Sequence, residues 1–545
     1  MSFKFTYFTL LLLFLSMNEL AAQVNLQSSN LPIIVINTNY SIVDEPKRPA
    51  TMGIIYNDNN QRNQITDPFN HYNGDIGIEW RGQSSQWFFD KRSYGIETRN
   101  QAEEALNVSL LGLPEENDWI LYAPFSDKTM MRNVLIYQLS NEAGQYASRT
   151  RYCELVLNGD YKGVFVLMEK IKRDKNRLDI AKLKPEETTG EDLTGGYIVR
   201  LDKYDVYDQN IWASTFSDPN IRMEYQVVYP RPKNLQTAQF DYIKQFIYDF
   251  ETALTSEAYK DPLEGYRKYI DVESFVDFLL LNELGRNPDA YRISTYFYKE
   301  NDRDGGKLKM GPIWDFNIAM GNADFCMAGG HQNWILNYNQ TCPDDFWLIG
   351  YWWDRLLTDE YFLNKVAARW AELRQTAFKL TNIYSIIDEK AQLLQEAQER
   401  NFDRWDILNS YVWPNPHIGG SYSSEVKYLK DWFSNRVRWM DENIELIGGQ
   451  VKGKYSSANA KIYPNPMGEE LYIEFQQEVQ GIDLQFNMYN SLGQLVVTSQ
   501  LEPSYGVKSK FRIPRTTVRS LSSGIYFYNL VINKEIALKG KLLKE

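Results

Sequence analysis

The sequence predicts an α+β chain in two parts: a large mixed region with a strand-rich front and a helix-rich back, then a small all-β sandwich. Three observations predict it. Residues 31 to 230 carry short apolar runs, several of them alternating, bounded by turn residues. Residues 237 to 286 switch to helical spacing, which returns over 358 to 400 and 423 to 446. Beyond Gly448, a stretch rich in small residues gives way to short strands at even intervals. A length of 545 residues is too great for one ordinary core, and 43% hydrophobic with 14% aromatic residues is ample for two or more.

The chain opens on a secretory pattern. Lys4 supplies a positive charge, Phe8 to Leu15 is almost wholly apolar, and Leu20-Ala21-Ala22 precedes a cut at Gln23. Residues 1–22 are therefore expected to be a signal peptide and the protein to be exported, secreted or held at the cell surface. The apolar run is too short to span a bilayer comfortably, and no transmembrane segment is expected elsewhere. No Cys follows the cut, which argues against a lipoprotein anchor.

In the front region, Ile76 to Trp80 alternates and Tyr94 to Thr98 is its expected partner strand. Tyr152 to Leu157 and Gly163 to Met168 flank Asn158-Gly159, a hairpin turn signal. Met130 to Ala143 has helical spacing. In the back region, Phe240, Ile243, Phe246, Ile247 and Phe250 share one helical face, and Val272 to Leu281 suggests a second helix. Residues 358 to 400 and 423 to 446 also read as amphipathic helices. The expected division is 23–447 for the mixed domain, 448–460 for a linker and 461–545 for the sandwich.

Composition narrows the function. A net charge of -12 argues against nonspecific nucleic-acid binding. The three His, at 71, 331 and 417, lack metal-ligand spacing, which argues against a zinc hydrolase. Of the three Cys, Cys153 lies in a strand pattern and reads as a small core residue. Under oxidising conditions Cys326 and Cys342 either pair or remain two separate thiols.

The chemistry concentrates around two acids. Asp289 lies in Asn287-Pro288-Asp289-Ala290-Tyr291-Arg292, and Asp315 in Gly311-Pro312-Ile313-Trp314-Asp315-Phe316-Asn317. Between them, Ile293 to Tyr298 and Lys307 to Met310 read as strands around the turn Glu300 to Gly306. An acid, a hairpin and a second acid is how protein kinases place a catalytic aspartate near a metal-binding one. The usual kinase strings, His-Arg-Asp and Asp-Phe-Gly, are absent at these acids.

Further blocks accompany these acids in order. They are Arg81-Gly82-Gln83-Ser84-Ser85, Asp90-Lys91-Arg92-Ser93-Tyr94, Ser126-Asp127-Lys128 with Arg132-Asn133, Leu157 to Phe165, and Met168-Glu169-Lys170-Ile171. Together with the Asp289 and Asp315 segments they resemble the CotH kinase family, atypical kinase-like proteins named after a spore-coat protein. The resemblance covers most of residues 30 to 447. It implies a two-lobed kinase-like fold and transfer of the γ-phosphate of ATP, with Mg²⁺ or Mn²⁺, to a protein Ser/Thr or another hydroxyl acceptor.

The resemblance also implies roles. Asp289 is the candidate catalytic acid, although Asn-Pro-Asp is equally good turn chemistry. Asp315 is the candidate metal ligand, with Asn317 and Ser294 as further oxygen donors. Ser294 stands where kinases commonly carry Asn, and Asn317 where family members often carry Asp. Arg81, Ser84 and Ser85 are candidates for a phosphate cradle, or form an ordinary turn. Lys91 is the candidate phosphate-binding lysine, with Arg92 as its alternative. Glu169 either faces the nucleotide or joins a surface ion pair. Trp314 either stacks on a base or fills the core.

Two rivals stand beside the kinase reading. One is a catalytically weak or inactive surface protein that binds or builds structure. The other is a carbohydrate-active protein whose exposed aromatics line a cleft holding two carboxyl groups.

The tail has its own signals: Ile462-Tyr463-Pro464-Asn465-Pro466, Leu471-Tyr472-Ile473, Tyr489 to Leu495, Leu521 to Tyr526 and the ending Lys539 to Glu545. These resemble the C-terminal sorting domain read by the type IX (Por) secretion machinery. That resemblance implies export through the outer membrane and removal of the module. The other reading is a carbohydrate-binding or spacer sandwich.

Overall fold

The computed structural model describes residues 25–57, 61–204, 210–218, 221–451, 460–475, 484–501, 503–504, 507–532 and 535–544. The signal-peptide segment and most of the expected linker lie outside them. The chain divides into two compact units. The first holds residues up to Phe125 with Thr150–Glu169 and Lys390–Ser410; the second holds Ser126–Arg149, Lys170–Glu389 and Tyr411–Glu545.

The first unit is a closed seven-stranded barrel. Its strands are β1 (Ile33–Asn37), β2 (Arg48–Ile55), β3 (Tyr72–Arg81), β4 (Ser93–Arg99), β5 (Asp118–Tyr122), β6 (Thr150–Leu157) and β7 (Asp160–Glu169). The order is β1-β2-β3-β4-β5-β7-β6, antiparallel except where β1 and β6 pair in parallel to close it. Alternate residues such as Ile34, Ile54, Ile76, Ile96, Leu121 and Phe165 fill one core, as the period of two requires. The expected pairing of 76–80 with 94–98 is present, with Ile78 opposite Ile96. The β6–β7 turn carries positive φ at both Asn158 (50°) and Gly159 (77°), the conformation a tight hairpin needs.

Helix Ala397–Arg404 packs on β7. Arg400 grips the fully buried Glu154 with two bonds, at 2.9 and 2.7 Å. At Gly163 (φ 95°) this helix comes close, because a Cβ there would stand 2.5 Å from the Asn401 amide oxygen.

The second unit contains a five-stranded antiparallel sheet. Its strands are β8 (Tyr197–Leu201), β9 (Ile211–Ala213), β10 (Glu224–Tyr229), β11 (Thr295–Lys299) and β12 (Leu308–Met310), in the order β9-β10-β8-β11-β12. The expected hairpin is β11–β12, with Phe297 opposite Met310. Helices Thr237–Thr255 and Val272–Gly285 bring Phe250 and Phe275 against Trp352, which also meets Phe297 and Tyr225 of the sheet. The helical stretch expected over 358–400 resolves into Glu360–Leu373, Leu380–Leu394 and Ala397–Arg404, and that over 423–446 into Tyr422–Asn443.

The tail forms two four-stranded sheets. They share a core that includes Leu471, Ile473, Phe486, Leu530 and Leu542. This is the expected all-β module. Among the described residues no helix is long and apolar enough to cross a membrane.

Candidate functional site

The Asp289 loop starts where helix Val272–Gly285 stops. Arg286 takes a left-handed conformation (φ 46°), which turns the chain out of the helix. Asn287 then organises the loop from a nearly fully buried position. Its side-chain oxygen accepts the Asp289 N–H at 3.2 Å, an Asx turn, and its amide nitrogen donates to the Asp315 carbonyl at 3.3 Å. The two acidic segments are thus bonded together.

Arg292 fixes the Asp289 carboxylate. It donates to Asp289 Oδ1 at 3.0 Å, to the Pro288 carbonyl at 2.7 Å and to the Trp347 carbonyl at 3.0 Å. Asp345 Oδ2 lies 3.4 Å from the same guanidinium. Burial raises the Asp289 pKa above the usual carboxylate value. Arg292 and Lys203 oppose that shift, while Asp202 and Asp345 add to it.

Asp202 and Lys203 follow directly on β8. Because Leu201 pairs with Thr295, Asp202 falls beside Ser294, whose N–H donates to Asp202 Oδ1 at 3.3 Å. Ser294 itself is left-handed, at φ 48°. Sequence reasoning missed Asp202, Lys203 and Asp345. The available signal for the first two was an Asp-Lys pair ending a β-branched strand.

Asp315 follows β12 and has φ 57°. Its N–H donates to the Tyr137 hydroxyl at 3.1 Å, and the Phe316 N–H to Asn133 Oδ1 at 2.6 Å. Both acceptors stand on helix Arg132–Glu142. Arg132, buried to 1% exposure, pairs with Asp127 at 2.6 Å and donates to the Ala319 carbonyl at 3.1 Å and that of Met320 at 3.3 Å. The Ser126-Asp127-Lys128 and Arg132-Asn133 blocks therefore hold the segment that carries Asp315. Asn317 contributes its main-chain carbonyl to the same network, accepting from Asn322 at 2.8 Å.

Trp314 stacks on Tyr137 with centroids 6.0 Å apart and meets Tyr296 edge-on, packed against a small apolar cluster. Trp314 is itself half-buried.

The remaining candidates lie in the barrel unit. Lys91 is 3% exposed, and its ammonium donates to the Val164 carbonyl at 2.6 Å and to Asn401 Oδ1 at 2.8 Å. The Phe165 ring lies 5.0 Å away. Burial lowers its pKa to about 7. The ammonium thus braces the interior rather than projecting from a solvated strand edge. Arg92, the alternative, lies 4.1 Å over the Trp80 ring.

Arg81 ends β3, and Gly82 (φ 98°) turns the chain into the single helical turn Ser84–Phe88 that holds Ser84 and Ser85. Glu169 ends β7 and is fully buried, opposite Trp119. It does not lie on the surface, where an exposed ion pair would place it.

Cys326 and Cys342 form a disulfide, with Cα atoms 5.3 Å apart, and Cys153 is a buried thiol. The pairing left open by the sequence is thereby settled. The carbohydrate-active reading required aromatic platforms. Trp119, Trp334, Trp352, Trp353, Trp370 and Trp432 are buried, whereas Trp87, Phe346, Tyr411 and Trp413 are exposed.

Residues 78–440 match the family model of the CotH kinase protein. The chain belongs to the CotH kinase family. Residues 461–545 match the Secretion system C-terminal sorting domain, which implies export by the type IX machinery. No curated protein matches the chain. Both resemblances seen in the sequence are thus shown, and the Asp289 and Asp315 segments both lie inside the CotH match.

Among the described residues no group of three or more His, Cys, Asp or Glu is arranged to hold a metal ion. The Asp315 segment offers one carboxylate and, two residues on, the Asn317 amide oxygen, donor types that suit Mg²⁺ or Mn²⁺. Mg²⁺ is commonly bound by one or two carboxylates and takes its other ligands from water and nucleotide phosphates.

Proposed function

We propose that this exported CotH-family protein is a metal-dependent kinase on a two-lobed fold, transferring the γ-phosphate of ATP to a hydroxyl acceptor, most simply a protein Ser or Thr. The observation that carries the reading is the Asn287–Asp315 bond, which ties the loop of one acid to the segment of the other. Asp289, half-buried and oriented by Arg292, accepts the acceptor's proton or orients its hydroxyl. Asp315, with Asn317 and Ser294 as oxygen donors, would hold the divalent cation, which supplies charge neutralisation for the phosphates.

In the barrel unit, Arg81, Ser84, Ser85 and Arg92 are assigned to phosphate, and Glu169 to support of the nucleotide site. Lys91, given its internal bonds, is assigned to bracing the barrel.

The test is transfer of labelled γ-phosphate from ATP with Mg²⁺ or Mn²⁺ by the exported protein, beside Asp289→Ala and Asp315→Ala. Transfer by the parent that both variants lose supports the reading. A second reading, a surface binding protein on this fold, is favoured by Ser294 and Asn317, which leave Asp315 as the only carboxylate of the donor set. A parent with neither transfer nor metal-dependent ATP binding would establish that alternative.

A further inference from the structure

Two buried arginines flank the Asp289 loop, and each is bonded to one side of the Cys326–Cys342 bridge. Arg286 donates to the carbonyls of Met327 at 2.5 Å, Gly330 at 3.3 Å and Asn333 at 3.2 Å. Met327 directly follows Cys326. On the other side, the Cys342 carbonyl accepts the Asp345 N–H at 3.2 Å. Asp345 Oδ2 in turn faces Arg292 at 3.4 Å, and Arg292 holds Asp289 Oδ1 at 3.0 Å. The Arg292 guanidinium also lies 4.1 Å over the ring of Tyr338, whose carbonyl accepts the Cys342 N–H at 2.8 Å. One covalent bond therefore joins the two anchor points that grip the loop before and after Asp289.

We propose that the Cys326–Cys342 disulfide is a positioning brace for Asp289, so that the loop reaches its working geometry only in oxidised, exported protein. The catalytic consequence rests on the reading of Asp289 as the acid; the brace itself does not. Before oxidation the segment from 326 to 342 is held only by noncovalent contacts. Closing this loop, with its 16-residue separation, removes much of its chain freedom. Cys153 is buried in the barrel unit, so Cys326 and Cys342 pair with each other.

Closure is a thiol–disulfide exchange with a small or protein disulfide R–S–S–R. The Cys326 and Cys342 thiols give up two electrons and two protons, their S–S bond forms, the R–S–S–R bond breaks, and two R–SH leave. Oxidising compartments outside the cytoplasm supply such oxidants, and the sorting tail directs the chain there.

The experiment is hydrogen exchange on the full chain before and after treatment with dithiothreitol and alkylation, with mass spectrometry counting the alkylated thiols. The expected result is two alkylated thiols and a loss of protection, roughly tenfold, confined to residues 286–294 and the segment 326–347, with β8 and the barrel strands unchanged. The double variant Cys326→Ser/Cys342→Ser gives the same readout should the folded protein resist the reductant. Unchanged protection at 286–294 after the bridge is broken overturns the proposal. Loss of protection throughout the chain also overturns it, since the bridge would then be a global staple.

Where transfer is measurable, reduction should lower kcat about tenfold with the KM for ATP unchanged, and reoxidation with oxidised glutathione should restore it. A general staple would not give that split. Absence of transfer in both redox states would count against the kinase reading alone, while hydrogen exchange would still decide the brace.

Discussion

The side-chain amide of Asn287 donates to the main-chain carbonyl of Asp315, at 3.3 Å, across a hairpin that separates them in the chain. The same residue caps the Asp289 N–H through its oxygen. Asn287→Ala should break both bonds and leave a part-buried carbonyl with one partner fewer. The expected loss is about 1–3 kcal/mol of stability, read by denaturant unfolding. Transfer should fall in kcat more than in KM, because the loss is one of geometry. Unchanged kcat in a folded variant would show that the tether does not set the positions of the two acids.

Arg132 performs the corresponding service for Asp315 from the helix side. It is buried with Asp127 and reaches the carbonyls of Ala319 and Met320. Arg132→Met would leave Asp127 as a buried carboxylate without that partner. Breaking such a pair costs about 3–5 kcal/mol, which should appear as a large fall in the denaturation midpoint. A loss below about 1 kcal/mol would mean that Asp127 finds water on mutation.

Gly285 closes its helix against the residue after Asp315. A Cβ at position 285 would meet the Phe316 ring at 2.9 Å, and the Gly285 carbonyl accepts the Met320 N–H at 2.8 Å. Gly285→Ala should push Phe316 aside and cost about 1–3 kcal/mol, despite the better helix propensity of alanine. A more stable variant would show that the ring yields freely.

These interactions mark how far the sequence could be read. The hairpin between the two acids was legible because its strands alternate around a Gly-rich turn, and β11–β12 pair as expected. The Arg132-Asn133 block was visible as a motif, but its purpose was not, since the carbonyls it grips lie far along the chain. Barrel closure was likewise hidden, because it depends on the parallel β1–β6 pairing between distant strands. Lys91 looked like a strand-edge cation; helix Ala397–Arg404, which supplies Asn401, covers it instead. Asp202 carried no motif and entered the site only through the register of β8 on β11.

Lys91 gives the barrel unit a pH signature. A lysine in the unfolded chain loses its proton near 10.5, whereas burial lowers the folded value to about 7. Between these values the unfolded chain binds more protons, so this group's contribution to stability rises with pH from about 7 toward 10.5. Below pH 7 the full penalty for charging the buried amine is present. Lys91→Met removes the titration. The difference in unfolding free energy between parent and variant should therefore move in favour of the parent as pH rises through this window. A difference independent of pH would show that the buried amine keeps an ordinary lysine pKa.

Asp202 offers the most direct test of the electrostatics around Asp289. Burial is the largest cause of the raised Asp289 pKa, and the negative charge of Asp202 pushes in the same direction. Asp202→Asn keeps an oxygen for the Ser294 N–H but removes that charge. The Asp289 carboxyl should then ionise at lower pH. A base must be deprotonated to act, so transfer declines as pH falls through its pKa. The acid limb of the pH–rate profile should accordingly move to lower pH in Asp202→Asn. Arg292→Met should move it the other way, because a positive charge that favours the carboxylate is lost. Profiles that superimpose in parent and both variants would place the titrating base elsewhere. Opposite displacements would identify Asp289 as the group whose ionisation limits the reaction.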